Sequence, residues 1–474
     1  MYKKLLSETI IYGMGAVLPR LIVFILTPFI VAQVNSEEYS QYSQLYAAVS
    51  YLNVILTFGF ETAFFRFASQ DGLYKKSLNN SFWFMFATAS LFILLVYLLV
   101  NPLATWADYE NHPEYLKWFG WIIFFDTLTV IPFATLRFNN QPIRYALIRI
   151  VTSSFQAILT LVFLYWISDN WLSSIGLKEK ISYTFFANFA ASVLGFLLLV
   201  PQLRHVSFSF EWTLFKKMFH YGYPIMFAGL AFVTNENLDK LIQRNIIPEA
   251  EAGAYSGVYK IAMILTLFVT AYRMGVEPYF FKVSDQKDSR KTYADILLYF
   301  SIVCNIVIIG VIANLGWLKY ILLNNESYWI AMDIVPIVLI ANLFYGIYFN
   351  LSTWYKVSDK TYVGTIISLI GCAITIVMNL FLLKKYGFMI SAWATLLAYA
   401  TMMIISYIWG QKEYKIPYQT KKITFYTLIA IIFTCLAYYV FNANILIGNL
   451  FLILYLAMVF FIEKASIKLN KSTS

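Results

Sequence analysis

An all-α integral membrane protein of about fourteen transmembrane helices is the fold class this sequence predicts, as two pseudo-symmetric six-helix lobes with two extra C-terminal helices. Three observations predict it. Of 474 residues, 60% are hydrophobic, and the mean hydropathy is +0.66. Charged residues make up only 13%, roughly half the share that clothes a soluble domain. The basic residues collect in alternate connections, and two spans six apart carry matching motifs. One span takes about 20 apolar residues, so the apolar content fills roughly fourteen spans and leaves no large domain outside the membrane.

The apolar stretches bounded by charge clusters fall at 10–33, 42–66, 80–101, 116–137, 143–166, 181–201, 218–240, 254–279, 293–316, 329–353, 363–383, 389–410, 423–441 and 446–463. The first follows Lys3 and Lys4 but is too long for a signal peptide and lacks a small-residue cleavage pattern, so it reads as an uncleaved span. Residues 1–210 form the first lobe (spans one to six) and 211–416 the second (spans seven to twelve), with 417–474 adding two peripheral spans and a tail.

With the N-terminus inside, the even-numbered connections and both tails hold 22 Lys and Arg residues and the odd-numbered connections 6. Cytoplasmic loops are the ones that accumulate Lys and Arg, so both termini are expected in the cytoplasm. The net charge of +10 is therefore topological, and no nucleic acid partner is implied. Cys304, Cys372 and Cys435 stand in separate apolar stretches and share no metal spacing with His112, His205 and His220. Neither a disulfide framework nor a metal site is expected.

Span two opens Tyr42-Ser43-Gln44-Leu45-Tyr46 and closes Gly59-Phe60-Glu61-Thr62-Ala63-Phe64-Phe65-Arg66. Span eight opens Tyr255-Ser256-Gly257-Val258-Tyr259 and closes Gly275-Val276-Glu277-Pro278-Tyr279-Phe280-Phe281-Lys282. Tyr12-Gly13 recurs as Tyr221-Gly222 ahead of span seven. An offset of six spans keeps the copies parallel, a symmetry that transporters share. In span two, Tyr42, Tyr46, Ser50, Asn53, Thr57 and Glu61 fall on one helical face, as do Tyr259, Thr266, Thr270, Arg273 and Glu277 in span eight. Such stripes suit a wet lumen, while their Ser, Thr and Asn members equally suit contacts between helices.

Arg20 lies about 15 Å into span one at 1.5 Å per residue, near the middle of the hydrocarbon core. Arg149 shares a stripe with Thr152, Gln156 and Thr160, and with Lys260 and Arg273 these make four cations at membrane depth. Lys260 can snorkel to the outer interface. The acids at depth are Glu61, Glu277, Asp126, Asp239 and Asp333. Arg20, Arg273, Arg149, Lys260 and Asn53 are the candidate substrate contacts. Glu61, Asp126, Asp239 and Glu277 are the candidates for ion coupling, since buried carboxylates serve as intramembrane ion relays. No Gly-x-x-x-x-Gly-Lys-Ser/Thr loop occurs, so no P-loop ATPase is encoded. Gly253-x-x-x-Gly257 reads as a close helix contact.

Several segments resemble the polysaccharide-transporter branch of the multidrug/oligosaccharidyl-lipid/polysaccharide flippase superfamily, the Wzx-type O-antigen flippases. They are Asp126 to Pro132 with Leu136-Arg137 and Pro142-Ile143-Arg144-Tyr145; Tyr221-Gly222-Tyr223-Pro224 with Ala228-Gly229-Leu230-Ala231, Asn235-Glu236 and Asp239-Lys240; Tyr272-Arg273 with Glu277-Pro278-Tyr279-Phe280-Phe281; and Ser352-Thr353-Trp354-Tyr355-Lys356 with Asp359-Lys360-Thr361. The resemblance implies alternating access around a central cavity in the bacterial inner membrane. The implied cargo is an undecaprenyl-diphosphate-linked oligosaccharide, with a proton or sodium gradient as energy source and no cofactor. Related lipid II flippases place an acid beside the first-span arginine, where this chain has Leu21. The alternatives are a small-molecule antiporter, against which the four deep cations count, and a polytopic enzyme acting on lipid-linked sugars, for which no catalytic loop is seen.

The charge split gives a topological prediction. In a background lacking the three native cysteines, new cysteines near Glu37, Glu110 and Asn444 should be labelled from outside, and those near Lys76, Lys217 and Lys415 should be protected. The reverse pattern at two of these sites would end the fourteen-span topology.

Overall fold

The structure, a computed structural model, describes residues 2–174, 176–284, 286 and 288–472, with side chains 2–10, 278 and 466–472 not described. Pro278 and the basic residues 3, 4, 287, 468 and 471 invoked above lie outside the described side chains. By packing, the chain divides into two compact units, Met1–Gly253 and Ala254–Ser474.

The first unit holds α1 (Tyr2–Val31), α2 (Ser36–Thr57), α3 (Phe60–Ala68), α4 (Tyr74–Leu98), α5 (Val100–Ala107), α6 (Pro113–Phe138), α7 (Pro142–Tyr165), α8 (Asp169–Ser174), α9 (Lys180–Leu199) and α10 (Trp212–Ile242). α11 (Glu249–Val283) begins at its end and continues into the second unit. There it is followed by α12 (Ser289–Ala313), α13 (Leu315–Leu322), α14 (Ile334–Leu351), α15 (Thr353–Val357), α16 (Tyr362–Tyr386), α17 (Met389–Glu413), α18 (Thr420–Cys435) and α19 (Ile445–Ser472).

Among the described residues, 13 helical segments are long and apolar enough to cross a membrane. The expected seventh span, α10, is a 31-residue helix but falls outside that set. It carries Lys216, Lys217 and His220 at one end and Asn235, Glu236, Asn237, Asp239 and Lys240 at the other, which dilute its apolar middle. At about 1.5 Å per residue it is still long enough to span.

In the first unit, α6 is covered by α4 and α9, α7 lies between α1 and α9, and α10 packs on α2 and α3. That last contact draws α10 into the first unit, so the division by packing falls one span later than the repeat boundary at 210/211. In the second unit α14 is central: of its residues all but Phe344 and Tyr345 are buried. It is flanked by α17 and α12, and α18 and α19 pack on α12. Gly253-x-x-x-Gly257 works as a contact motif, since a Cβ at Gly253 would strike the Ser36 carbonyl and one at Gly257 the Tyr328 ring.

Span two is broken. Phe58 (φ 49°) and Gly59 (φ 71°) are both left-handed and separate α2 from α3. A residue with a side chain loses about 1–2 kcal/mol there, so the break at Phe58 is held by its surroundings. A Cβ on Gly59 would lie 2.6 Å from the Gly222 carbonyl oxygen, and one on Gly222 2.6 Å from that of Phe58. Only two glycines let these backbones meet.

At the other end of α10, Arg244 is almost wholly buried, its side chain 5% exposed. It donates to Gln44 Oε1 (3.3 Å), the Asp108 carbonyl (3.1 Å) and Glu249 Oε1 (3.0 Å), and its guanidinium lies 4.5 Å from the Tyr109 ring centroid. The Tyr109 hydroxyl donates to the same Gln44 oxygen at 2.9 Å. This cluster fastens the start of α2 to the end of α10.

Replacing Gly222 by Val should lower the thermal midpoint of the detergent-solubilised protein, at a cost of about 1–3 kcal/mol for overpacking. Gly275→Ala, where an added Cβ meets nothing within 4 Å, should leave the midpoint unchanged or raise it. Thermal unfolding of the two variants beside wild type checks both.

Candidate functional site

Glu61 and Glu277, the matched carboxylates of the repeat, each meet a basic residue from two spans further on. Glu61, in the first turn of α3, accepts from Arg137 Nη2 at the end of α6. Glu277 accepts from Lys356 Nζ of α15 at 2.7 Å, and Arg273 stands 3.7 Å from its other oxygen. The partners are 76 residues apart in the first unit and 79 in the second. The duplication therefore repeats a charge pair as well as a motif. Arg137 lies over the Phe65 ring (4.9 Å), and Arg273 and Lys356 lie over Phe349 (4.7 and 4.5 Å). Each pair thus has an aromatic floor that orients the cation.

From the first pair a row of polar groups continues into the first unit. Arg137 and Arg149 approach the Tyr145 ring at 6.0 and 5.7 Å, and Arg149 lies 4.2 Å over Phe133. Arg149 then borders a cavity of about 160 Å³ between α6, α7 and α9, lined by Asp126, Thr152, Gln156, Asn188 and Ser192 among others. Asp126 faces Ser192 and Arg149 there. At about 30 Å³ per water the cavity is the size of a small hydrated ion, and far below the 300–1,000 Å³ of a ligand pocket. Its polar lining can hold a cation or relay a proton.

The other sequence candidates stand on α1, α2, α10 and α11. Arg20 is exposed on α1, whose Tyr12 ring packs edge-on against Tyr145 at 5.5 Å. Asn53 is half-buried in α2, with its carbonyl taking the Thr57 hydroxyl at 2.7 Å. Asp239 is buried and turned to its neighbour, accepting from Lys240 Nζ at 3.1 Å. Lys260 is half-buried in α11. Among the described residues no cluster of His, Cys, Asp and Glu could hold a metal ion.

Sequence reasoning missed Arg137 and Lys356. Both stand at the edge of an apolar stretch, where a positive charge is explained by topology alone. The signal that finds them is the near-equal spacing from Glu61 and Glu277. Arg244 falls in a connection between two apolar stretches of the sequence, yet its side chain is among the most buried cations described in the first unit.

The comparisons agree with this architecture. The MatE family model matches residues 224–381. Among solved structures, the lipid II flippase MurJ in an inward closed conformation is similar with a TM-score of 0.72 and 16% identity, covering 95% of this chain and 99% of that one. An inward-facing multidrug resistance MATE family transporter gives a TM-score of 0.67 at 11% identity over 86% of this chain and 97% of its own. A MOP superfamily transporter from Pyrococcus furiosus gives 0.60 at 11% identity over 86% and 94%. No curated protein matches the sequence. The polysaccharide biosynthesis protein model matches residues 5–284, more than half of the chain, and the chain belongs to that family.

Proposed function

We propose that this protein flips an undecaprenyl-diphosphate-linked oligosaccharide from the inner to the outer leaflet of a bacterial cytoplasmic membrane, by alternating access and coupled to an ion gradient. The observation that carries the reading is the exposure of arginines within membrane helices: Arg20 in α1, Arg149 in α7 and Arg273 in α11 are all exposed. An arginine facing lipid costs about 2.5–3.5 kcal/mol even on the most lenient scale. An exposed one at depth therefore calls for an aqueous path, a partner carboxylate or an anionic guest. A diphosphate suits a guanidinium, which offers two parallel hydrogen bonds and keeps its charge at any depth.

In this reading Arg20 is the principal diphosphate ligand, helped by Arg149 and Arg273, with Lys260 and Asn53 as further contacts. Residues 1–210 and 211–416 are the moving lobes, and both termini face the cytoplasm. Asp126 is the coupling carboxylate, because its cavity is ion-sized and it has Ser192 and Arg149 as neighbours that can accommodate either protonation state. Glu61 and Glu277, each engaged by a cation, hold the ends of their helices in place, and Asp239 caps its own Lys240.

Two outcomes test this in proteoliposomes carrying a lipid-diphosphate sugar. Arg20→Ala should nearly eliminate transport, and Arg20→Lys should leave inserted protein with transport lowered about tenfold, the loss of one good bidentate contact. Equal rates and equal substrate affinity in wild type and Arg20→Ala would remove Arg20 from the site. Asp126→Asn should abolish the response to an imposed proton or sodium gradient while sparing substrate binding. A full gradient response in that variant would place coupling elsewhere.

A further inference from the structure

At the end of the first unit where the charge split expects the cytoplasm, α3 and α10 border a cavity of about 480 Å³. Its walls include Arg66 and Phe67 of α3 and Lys217, His220 and Tyr221 of α10. The Arg66 guanidinium lies over the Tyr221 ring at 4.9 Å, and Tyr221 meets Phe67 edge-on at 6.1 Å. His220 stands edge-on to Tyr223 at 5.4 Å. Glu61 of α3 is engaged by Arg137, and Glu211, just ahead of α10, by Lys76 at 2.7 Å. Among the described residues, Arg66, Lys217 and His220 form no ion pair, and no carboxylate lines the cavity.

We propose that this cavity is a binding site for the diphosphate head group of a membrane lipid, separate from Arg20 and Arg149, which captures the cargo at the cytoplasmic surface before it reaches the deeper arginines. Naming the ligand a lipid diphosphate rests on the flippase reading above; the anion site itself does not. Topology requires positive charge near the inner surface, but it does not require three donors around one cavity or a ring beneath the guanidinium. An aromatic floor fixes a guanidinium in place, and the fork then presents two donors to a phosphate while a lysine and an imidazole supply more from the facing helix. The volume falls within the range of ligand pockets, enough for a diphosphate and part of the first sugar. Position adds a consequence. Arg66 lies beyond the Phe58–Gly59 break, whereas Lys217 and His220 belong to α10, whose Gly222 touches that break. A bound diphosphate would bridge the two segments on either side of the contact.

The test uses the purified full-length protein and three probes: farnesyl diphosphate, inorganic pyrophosphate, and nanodiscs containing phosphatidylglycerol. Wild type should bind farnesyl diphosphate, with pyrophosphate competing. Arg66→Gln combined with Lys217→Gln should weaken that binding by about tenfold or more, as loss of charge-assisted hydrogen bonds does. Arg66→Lys should fall between the two, and wild-type thermal midpoints would show that the variants are folded. Wild-type affinity in the double variant overturns the site. Binding of phosphatidylglycerol that is as tight, and equally lost in the double variant, overturns the diphosphate assignment in favour of a general anionic head group. A tenfold loss of farnesyl diphosphate binding in the double variant, in a protein whose wild type moves no lipid-diphosphate sugar in proteoliposomes, sustains the site and rejects the flippase reading alone.

Discussion

Ionised groups within a membrane protein need partners of opposite sign, because hydrocarbon supplies neither hydrogen bonds nor screening. In this chain the need is met by one arrangement used twice. Glu61 is held by Arg137 and Glu277 by Lys356, and in each unit the cation arrives from the same relative span and rests on an aromatic ring. The pairs are only partly buried, so they retain water and avoid the full desolvation penalty of an interior ion pair. They tie α3 to α6 and α11 to α15.

Much of this was legible in the chain. Apolar run length marks the spans because the thickness of the hydrocarbon core sets the length every crossing segment needs. The duplication was legible because Gly-x-Glu-x-x-Phe-Phe followed by a basic residue is unusual enough to recognise twice. Pairing was not legible. Arg137 and Lys356 look like ordinary cytoplasmic flank charges, and only tertiary packing aims them inward. Asp239, a relay candidate in the sequence, is buried at a helix end where its carboxylate reaches the adjacent Lys240, a contact unavailable to neighbours in mid-helix. The apolar middle of α10 marked span seven in the sequence despite the charges at both ends. A helix that packs on α2 and α3 and carries charges at both ends need not be uniformly apolar.

Scale separates the two cavities of the first unit. The space beside Asp126, about 160 Å³, admits a few waters and an ion. The space beside Arg66, about 480 Å³, admits a head group. Neither has room for the oligosaccharide and lipid of the cargo proposed above. Backbone breaks such as Phe58–Gly59 are where helices can swing without unfolding, since the hydrogen-bond ladder is already interrupted there.

The Arg244 cluster also bears on how the chain is made. Gln44, Asp108 and Tyr109 precede Arg244 in sequence, and only Glu249 follows it. When the turn after α10 leaves the ribosome, nearly all the partners of Arg244 have already been synthesised, and the last arrives five residues later. Domains complete themselves from the N-terminus as they emerge, and the first compact unit ends at Gly253, just beyond that last partner. Biogenesis can thus proceed in two instalments, with a seven-span half sealed around Arg244 before the helices of the second half are inserted.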